Sequence, residues 1–268
     1  MTDWFDGYEE LLSEQSDNTR DFDLGSENWL KGRTLLTSVE SLKLAIDYVN
    51  DHAGNYTDEE ELLQYLMSRK SVHHFESCFV LLRHGLYNPS RTQIRFLLEM
   101  YLLLKGLNRD KKQAARIYDE TREQLHNMGS EPLTGTRLRT INEFDSIVKS
   151  ERDALKEDEY QLLWQHTSNS AVHPYSLESI EIDNEYSKSI EGSLLDAVNV
   201  FAFGISAQFV KTWSGTPVYW DLMKLIDPMI VRIRTSSIGA PPPLFDEDLD
   251  LWFPEFSDWQ LRLAQNRR

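Results

Sequence analysis

Cysteine is almost absent from this sequence, since Cys78 is the only one among 268 residues. A single cysteine excludes an intramolecular disulfide and a multi-cysteine zinc site, and it fits a reducing compartment. The first residues lack the basic and apolar regions of a secretory signal, and no run approaches the roughly 18 apolar residues of a membrane span. We therefore predict a cytoplasmic protein that makes no contact with a membrane.

Basic side chains are also few, because 28 lysines and arginines stand against 44 acids and give a formal net charge of -16. Such a chain lacks the basic surface that neutralises nucleic-acid phosphates, so any contact with RNA or a nucleotide must be local. Arginine outnumbers lysine 17 to 11. This balance fits a halophilic source or an ordinary acidic protein.

The usual motifs of metal and cofactor sites are missing. There is no glycine-rich phosphate loop, and no internal repeat. Glu123 and His126 have the spacing of a diiron site, but that site requires the motif twice. His73 and His74 are adjacent and would diverge around a helix, unlike the paired histidines of a zinc protease. We predict neither a metal nor a cofactor.

Helical patterning dominates the central part of the chain. Apolar residues recur at the helical period over about 58–86, which predicts a long first helix. Asn88 and Pro89 then indicate a stop and restart, with Asn88 as the N-cap and Pro89 at the first helical position. The second helix is predicted over 89–105, ended by Gly106. So short a turn favours an antiparallel pair.

A further helix near 192–213 is apolar almost all round, so it should be buried. Other helices are predicted at 110–127, 135–155, 158–166 and 218–234. Three prolines at 241–243 stop regular structure. The sequence therefore predicts an all-α helical bundle.

Three regions follow from this pattern. Residues 1–57 form an acidic, aromatic N-terminal segment, residues 58–234 form the bundle domain, and residues 235–268 form a proline-containing, acidic and aromatic C-terminal tail. The aromatic side chains at both ends can pack on the bundle of the same chain or bind a protein partner. The sequence leaves both alternatives open.

A polar row marks the second predicted helix. Arg91, Arg95 and Glu99 lie four residues apart on an otherwise apolar helix, so they share one face. A buried charge must be paired, and we expect Arg95 to pair with Glu99 and a further polar group. Breaking such a buried pair costs roughly 3 to 5 kcal/mol. The row is either a structural ion pair or a site for a ligand or reaction.

His173 is the second polar feature, because Pro174 favours an extended backbone and a helix boundary there. Its imidazole can act as acid, base or phosphate partner, or can simply be a hydrogen-bonded packing histidine. Buried polar groups tend to find one another, so we expect His173 close to the arginine row. The candidate catalytic residues are thus His173, Arg95, Arg91 and Glu99.

These residues also carry a resemblance. The segment 81–91 (LLRHGLYNPSR), Arg95 and Glu99, and the later Tyr160, Ser168 and His173 resemble a poorly characterised group of prokaryotic helical proteins similar to the HEPN superfamily (higher eukaryotes and prokaryotes nucleotide-binding). The resemblance implies a helical bundle, frequent homodimers, and metal-independent RNA cleavage in toxin or phage-defence systems.

The sequence departs from the HEPN pattern at one point. That superfamily uses an arginine and a histidine four to six residues apart, whereas no arginine lies four to seven positions before His173. Arg69 and His74 have such a spacing, but with 17 arginines and seven histidines about one match is expected by chance. Two functions therefore remain open: RNA or nucleotide chemistry of a defence or toxin type, and a non-enzymatic interaction or scaffolding protein.

Overall fold

The computed structural model describes residues 27–52, 59–128, 140–155 and 188–235. These ranges contain seven α-helices and no strand, so the all-α prediction is confirmed for the part of the chain that is described. The helices are α1 Glu27–His52, α2 Glu59–Arg83, α3 Tyr87–Arg109, α4 Lys111–Met128, α5 Thr140–Asp153, α6 Lys188–Thr212 and α7 Tyr219–Thr235.

Four helices enclose the main core, because α1, α2, α3 and α6 each pack against two or three of the others. The remaining helices pack around these four, and α7 adds Leu222, Met223 and Ile226 to the main core. Helix α7 packs on α1, α4 packs on α2, and α5 packs on α3. A smaller apolar cluster lies where α2, α3, α4 and α5 meet.

The predicted antiparallel helix pair is α2 and α3. The Cys78 Sγ atom lies 3.8 Å from the Ser90 carbonyl oxygen, and His74 Nδ1 lies 2.8 Å from Gln93 Oε1. These contacts run in opposite directions along the two helices, as the short connection predicts. Cys78 itself is fully buried.

The restart between these helices differs from the prediction. Helix α3 begins at Tyr87 with Leu86 as its N-cap, so the assignment of Asn88 as N-cap is wrong. Gly85 has a φ of 68°, a left-handed conformation that turns the chain early. The turn also buries the Tyr87 side chain, which stabilises the earlier start.

Gly106 does not end α3, which continues to Arg109. A side chain at Gly106 would clash with Ile147 of α5, so the missing side chain serves close helix packing. Helix α4 follows after one residue, because the Asp110 carboxylate accepts a hydrogen bond from the Gln113 backbone N–H at 3.0 Å. That bond is an N-cap contact.

Helix α6 is the buried apolar helix that the sequence predicts. Every residue from 201 to 210 is buried. By length and composition α6 is also the one described helix that could cross a membrane, a longer apolar stretch than the sequence analysis allowed. Within the protein, 72% of its most apolar window is buried against other helices.

Helix α1 lies in the segment that the sequence analysis separated from the bundle, yet its apolar face belongs to the main core. It runs antiparallel to α7. Tyr48 donates a hydrogen bond to Asp221 at 2.8 Å, whereas the earlier residues 33–44 face Lys224 and Leu225. The end of α7 therefore lies near the beginning of α1. The predicted helix at 158–166 and both chain ends, 1–26 and 236–268, fall outside the described residues.

Candidate functional site

The arginine row lies along a partly exposed face of α3. Arg95 Nε donates a hydrogen bond to Glu99 Oε1 at 2.9 Å, so the predicted pairing is present. The Arg95 side chain is 12% exposed and that of Glu99 is 41% exposed. Arg95 is thus largely buried, whereas water reaches Glu99. Exposed pairs at this spacing contribute about 0.3 to 0.5 kcal/mol, and the access of water to Glu99 keeps this pair below the value for a fully buried one. Arg91 is also partly exposed.

His173 falls outside the described residues, so its predicted proximity to the arginine row stays a prediction. A different histidine lies beside α3. His74 of α2 forms its 2.8 Å hydrogen bond with Gln93, and its ring centroid lies 5.3 Å from that of Phe96. Arg69, which has the HEPN-like spacing to His74, is exposed.

A first polar cluster, here called the amino-terminal cluster, joins the first turns of α1 to the first turns of α6. Lys31 Nζ donates hydrogen bonds to Asp196 Oδ2 at 2.7 Å and to Glu27 Oε1 at 2.9 Å. Asn199 Nδ2 donates to the Lys31 carbonyl oxygen at 3.0 Å. Asn28 Nδ2 donates to Glu191 Oε1 at 3.0 Å.

Lys31 is only 7% exposed, and its ionisation reflects this setting. Burial alone lowers the pKa of Lys31, but hydrogen bonds to Asp196 and Glu27 outweigh that effect, and its pKa is raised. The same bond lowers the pKa of Glu27. The cluster is therefore a charge-compensated junction between two helices that are distant in sequence.

A second polar cluster, the carboxyl-terminal cluster, lies at the other end of α6. Lys111 Nζ donates to the Thr212 carbonyl oxygen at 2.9 Å and to Glu61 Oε1 at 3.1 Å. Asn108 Nδ2 donates to the backbone and side-chain oxygens of Gln208 at 2.8 and 3.0 Å. The lysine charge and these donors satisfy carbonyl groups that the end of a helix leaves open.

Several buried polar atoms at this second end make no hydrogen bond with the described residues. Gln64 is fully buried, yet neither its amide oxygen nor its amide nitrogen is bonded. Ser68, one turn further along the same face of α2, also has an unbonded hydroxyl. A buried group left in this state costs about 1 to 3 kcal/mol. The amino-terminal cluster has fewer such atoms, Asp196 Oδ1 and Asn199 Oδ1, so the carboxyl-terminal cluster is the less completely satisfied of the two.

An open apolar groove runs between α1 and α7, with a volume of about 550 Å³. Leu36 and Leu44 line it from α1 and are 43% and 48% exposed. Leu225 lines it from α7, and Arg33 and Lys224 add basic groups. Thr37, Glu40 and Ser41 also line it among the residues that the structure describes, and Glu40 adds an acidic group.

The described ranges contain neither a cluster of metal ligands nor a reactive cysteine. Within them, no group of three or more histidine, cysteine, aspartate or glutamate side chains is placed to hold a metal ion. The Cys78 thiol does not fit a nucleophile either, because burial raises its pKa.

Sequence reasoning missed both polar clusters and the groove. The signal for the carboxyl-terminal cluster is a row of polar residues at helical spacing on α2, namely Glu61, Gln64, Ser68 and Ser71, all of them buried. The signal for the groove is the helical pattern of α1 itself, in which Leu36 and Leu44 lie outside the buried stripe.

Comparison with known proteins assigns no function to the two polar clusters or to the groove. Neither a protein-family model, nor a curated protein, nor a solved structure matches the chain.

Proposed function

We propose that this chain is a non-enzymatic helical protein that binds a protein partner through the α1–α7 groove. The observation that carries the proposal is the pair of exposed leucines, Leu36 and Leu44, which face Leu225 across an open groove. Single exposed leucines are ordinary, but leucines that share a groove form a binding surface. The arginine row then serves as a structural pair, since Arg95 is bound to Glu99.

The chemistry of the groove indicates the class of partner. An amphipathic segment that lays apolar side chains into a groove is a common mode of recognition. Arg33 and Lys224 favour a segment whose flanks are acidic. Each apolar side chain that enters the groove removes leucine surface from water, at about 25 cal/mol per Å².

The first experiment places a photo-crosslinking residue at position 44 in the host cell, and at position 66 as a control. Leu66 is an exposed leucine of α2, 41% exposed, and lies outside the groove. The proposal expects one adduct of defined mass from position 44 and none from position 66.

The partner identified in this way is then purified and its affinity for the chain is measured. Leu44→Glu should weaken binding at least about tenfold, which corresponds to 1.4 kcal/mol, and Leu66→Glu should leave it unchanged. Equal affinity of the wild type and Leu44→Glu would overturn the proposal.

A second candidate function is RNA or nucleotide chemistry of a prokaryotic defence or toxin type, centred on Arg91, Arg95, Glu99 and His173. It is supported by the HEPN resemblance and by the position of the arginine row on a partly exposed face of α3. If the chain is an enzyme, this candidate makes it a metal-independent ribonuclease.

The two functions separate in a cleavage assay with purified chain, RNA and a metal chelator. The second candidate expects cleavage that is lost in His173→Ala and Arg95→Ala but kept in Arg122→Ala, which alters an exposed arginine of α4. Absence of cleavage by the wild type would exclude this candidate and leave the binding function.

A further inference from the structure

The geometry of α1 and α7 determines where the C-terminal tail starts. Because the two helices are antiparallel, Thr235 lies at the same end of the pair as Glu27. The groove extends along α1 from Arg33 to Leu44 and reaches back to Lys224 and Leu225 on α7. Ten residues of helix separate Leu225 from Thr235, which is about 15 Å at 1.5 Å per residue.

The chain that follows α7 has the length to return to the groove. After Ser236 to Ile238, residues 239–243 read Gly-Ala-Pro-Pro-Pro. A proline-rich stretch of five residues spans about 15 Å at 3.1 Å per residue. Residues 244–255 separate it from Phe256, so the chain is long enough to bring Phe256 to any part of the groove. The N-terminal segment 1–26 contains no proline and offers no such spacer.

The tail beyond this spacer has the chemistry that the groove accepts. Phe256, Trp259 and Leu263 have the i, i+3, i+7 spacing of apolar anchors on a helix. Pro254 precedes them, at a position suited to the first turn of a helix. Six acidic residues stand among or before the anchors: Asp246, Glu247, Asp248, Asp250, Glu255 and Asp258. They complement Arg33 and Lys224 at the groove.

We propose that residues 244–263 occupy the α1–α7 groove of their own chain and compete there with the partner. This inference rests on the proposed function, because it names what regulates the same groove. A segment on a short tether has an effective concentration in the millimolar range. If the tail alone binds the groove with a dissociation constant of about 0.1 mM, it would occupy the groove in about ten of every eleven molecules. The apparent affinity for the partner would then fall about tenfold.

The test measures a distance within the full chain by electron paramagnetic resonance. Spin labels are attached to Glu40→Cys, at the groove, and Ser257→Cys, in the tail. Cys78 does not interfere, because its buried thiol is unreactive. The proposal expects a short and narrow distance distribution. The control pair joins Ser257→Cys to Ser77→Cys, on an exposed part of α2, and should give a longer distance.

Groove variants then test the contact itself. Leu44→Glu should broaden and lengthen the distribution between positions 40 and 257, whereas Leu66→Glu should leave it unchanged. Lys224→Glu, which reverses an exposed charge at the groove, should act in the same direction as Leu44→Glu and serves if that variant fails to fold.

Three results would overturn the proposal. The first is a broad, long distribution between positions 40 and 257 in the otherwise unchanged chain. The second is a short distance in a mixture of singly labelled chains, which would place a second copy in the groove. The third is a short distance between Glu40→Cys and Ser13→Cys with a long one to Ser257→Cys, which would assign the groove to the N-terminal segment.

Failure of this inference differs from failure of the proposed function. A broad distribution together with partner binding that depends on Leu44 overturns the tail contact alone. A short distribution together with partner binding that ignores Leu44 supports the tail contact and overturns the binding function.

Discussion

Buried polar and charged side chains lie at both ends of α6, but their pairing differs between the two ends. At its beginning, the amino-terminal cluster encloses Lys31 between the carboxylates of Asp196 and Glu27, which compensate the charge of its largely buried ammonium. At its end, the carboxyl-terminal cluster joins Lys111 to the Glu61 carboxylate and to the Thr212 carbonyl group, while Gln64 stays unbonded within the described residues. Each end thus pairs a lysine with a carboxylate. The second end leaves both polar atoms of Gln64 and the Ser68 hydroxyl unbonded among the described residues, whereas the first leaves only Asp196 Oδ1 and Asn199 Oδ1 in this state.

This difference shows that a buried polar residue is not in itself stabilising. A hydrogen bond to a charged group contributes about 1.5 to 3 kcal/mol, whereas an unbonded buried group costs a similar amount. Polar substitutions at the two ends should therefore change stability with opposite signs.

The largest expected effect is at the amino-terminal cluster. Asp196→Ala removes the 2.7 Å bond to Lys31 and leaves a largely buried ammonium with Glu27 alone. We expect the free energy of unfolding to fall by about 2 kcal/mol, measured by urea denaturation. Asp119→Ala, at an exposed site on α4, should change it by less than about 0.5 kcal/mol. An Asp196→Ala protein as stable as the wild type would remove the contrast between the two ends.

The pH dependence of that difference is the next test. Because the pKa of Lys31 is raised above its usual 10.5 in the folded protein, its stabilising contribution is complete below pH 10.5 and is lost as the pH rises through the raised value. The stability gap between the wild type and Asp196→Ala should stay constant up to about pH 10 and shrink as the pH rises above 10.5. The Asp119→Ala gap serves as the reference. A gap that grew over this range would show that the charge of Lys31 does not hold the cluster.

At the carboxyl-terminal cluster the expected change has the opposite sign. Gln64→Leu replaces a fully buried amide, unbonded among the described residues, by an apolar side chain of similar size. We expect the free energy of unfolding to rise by about 1 kcal/mol. Thermal and urea denaturation both measure it. A loss of stability would mean that the Gln64 amide has partners, such as ordered water, and that the two ends of α6 are alike.

The smallest expected effect is on the arginine row, which lies in neither cluster. Glu99→Ala breaks the bond to Arg95, but the 41% exposure of Glu99 lets water compensate. We expect a loss of about 0.5 kcal/mol, not the 3 to 5 kcal/mol of a buried pair. A loss above about 2 kcal/mol would show that the Arg95–Glu99 pair stabilises the protein as much as the amino-terminal cluster does.

Much of the fold follows from the sequence, because apolar periodicity is a local signal. The α2–α3 pair and the buried α6 were predicted to within a few residues for this reason. Predictions of helix ends from the neighbouring sequence were wrong where packing between helices determined the structure. Gly106 was predicted to end α3, but it lies within the helix, where the lack of a side chain allows α5 to pack closely against α3.

Helix α1 was missed although its pattern is clear. Its buried residues Leu35, Val39, Leu42, Ile46 and Val49 alternate in steps of four and three, the spacing of a core-facing helix. The acidic and aromatic composition of the preceding residues obscured it.

The candidate site was less predictable than the fold. A row such as Arg95 and Glu99 can be recognised from its spacing, but its exposure depends on which helices cover α3. The groove depends on how α1 meets α7, whose facing residues are more than 170 positions apart in the chain.

Connectivity also has a consequence for the order of folding. Helices α2, α3 and α4 follow one another with connections of three residues and one, so their contacts close short loops. Helix α1 instead joins α6 and α7 through pairs such as Lys31 with Asp196, 165 positions apart. Long loops cost more entropy to close and slow the search for native contacts. We therefore expect α2 to α4 to form the nucleus and α1 to dock late, so that the groove is completed only at the end of folding.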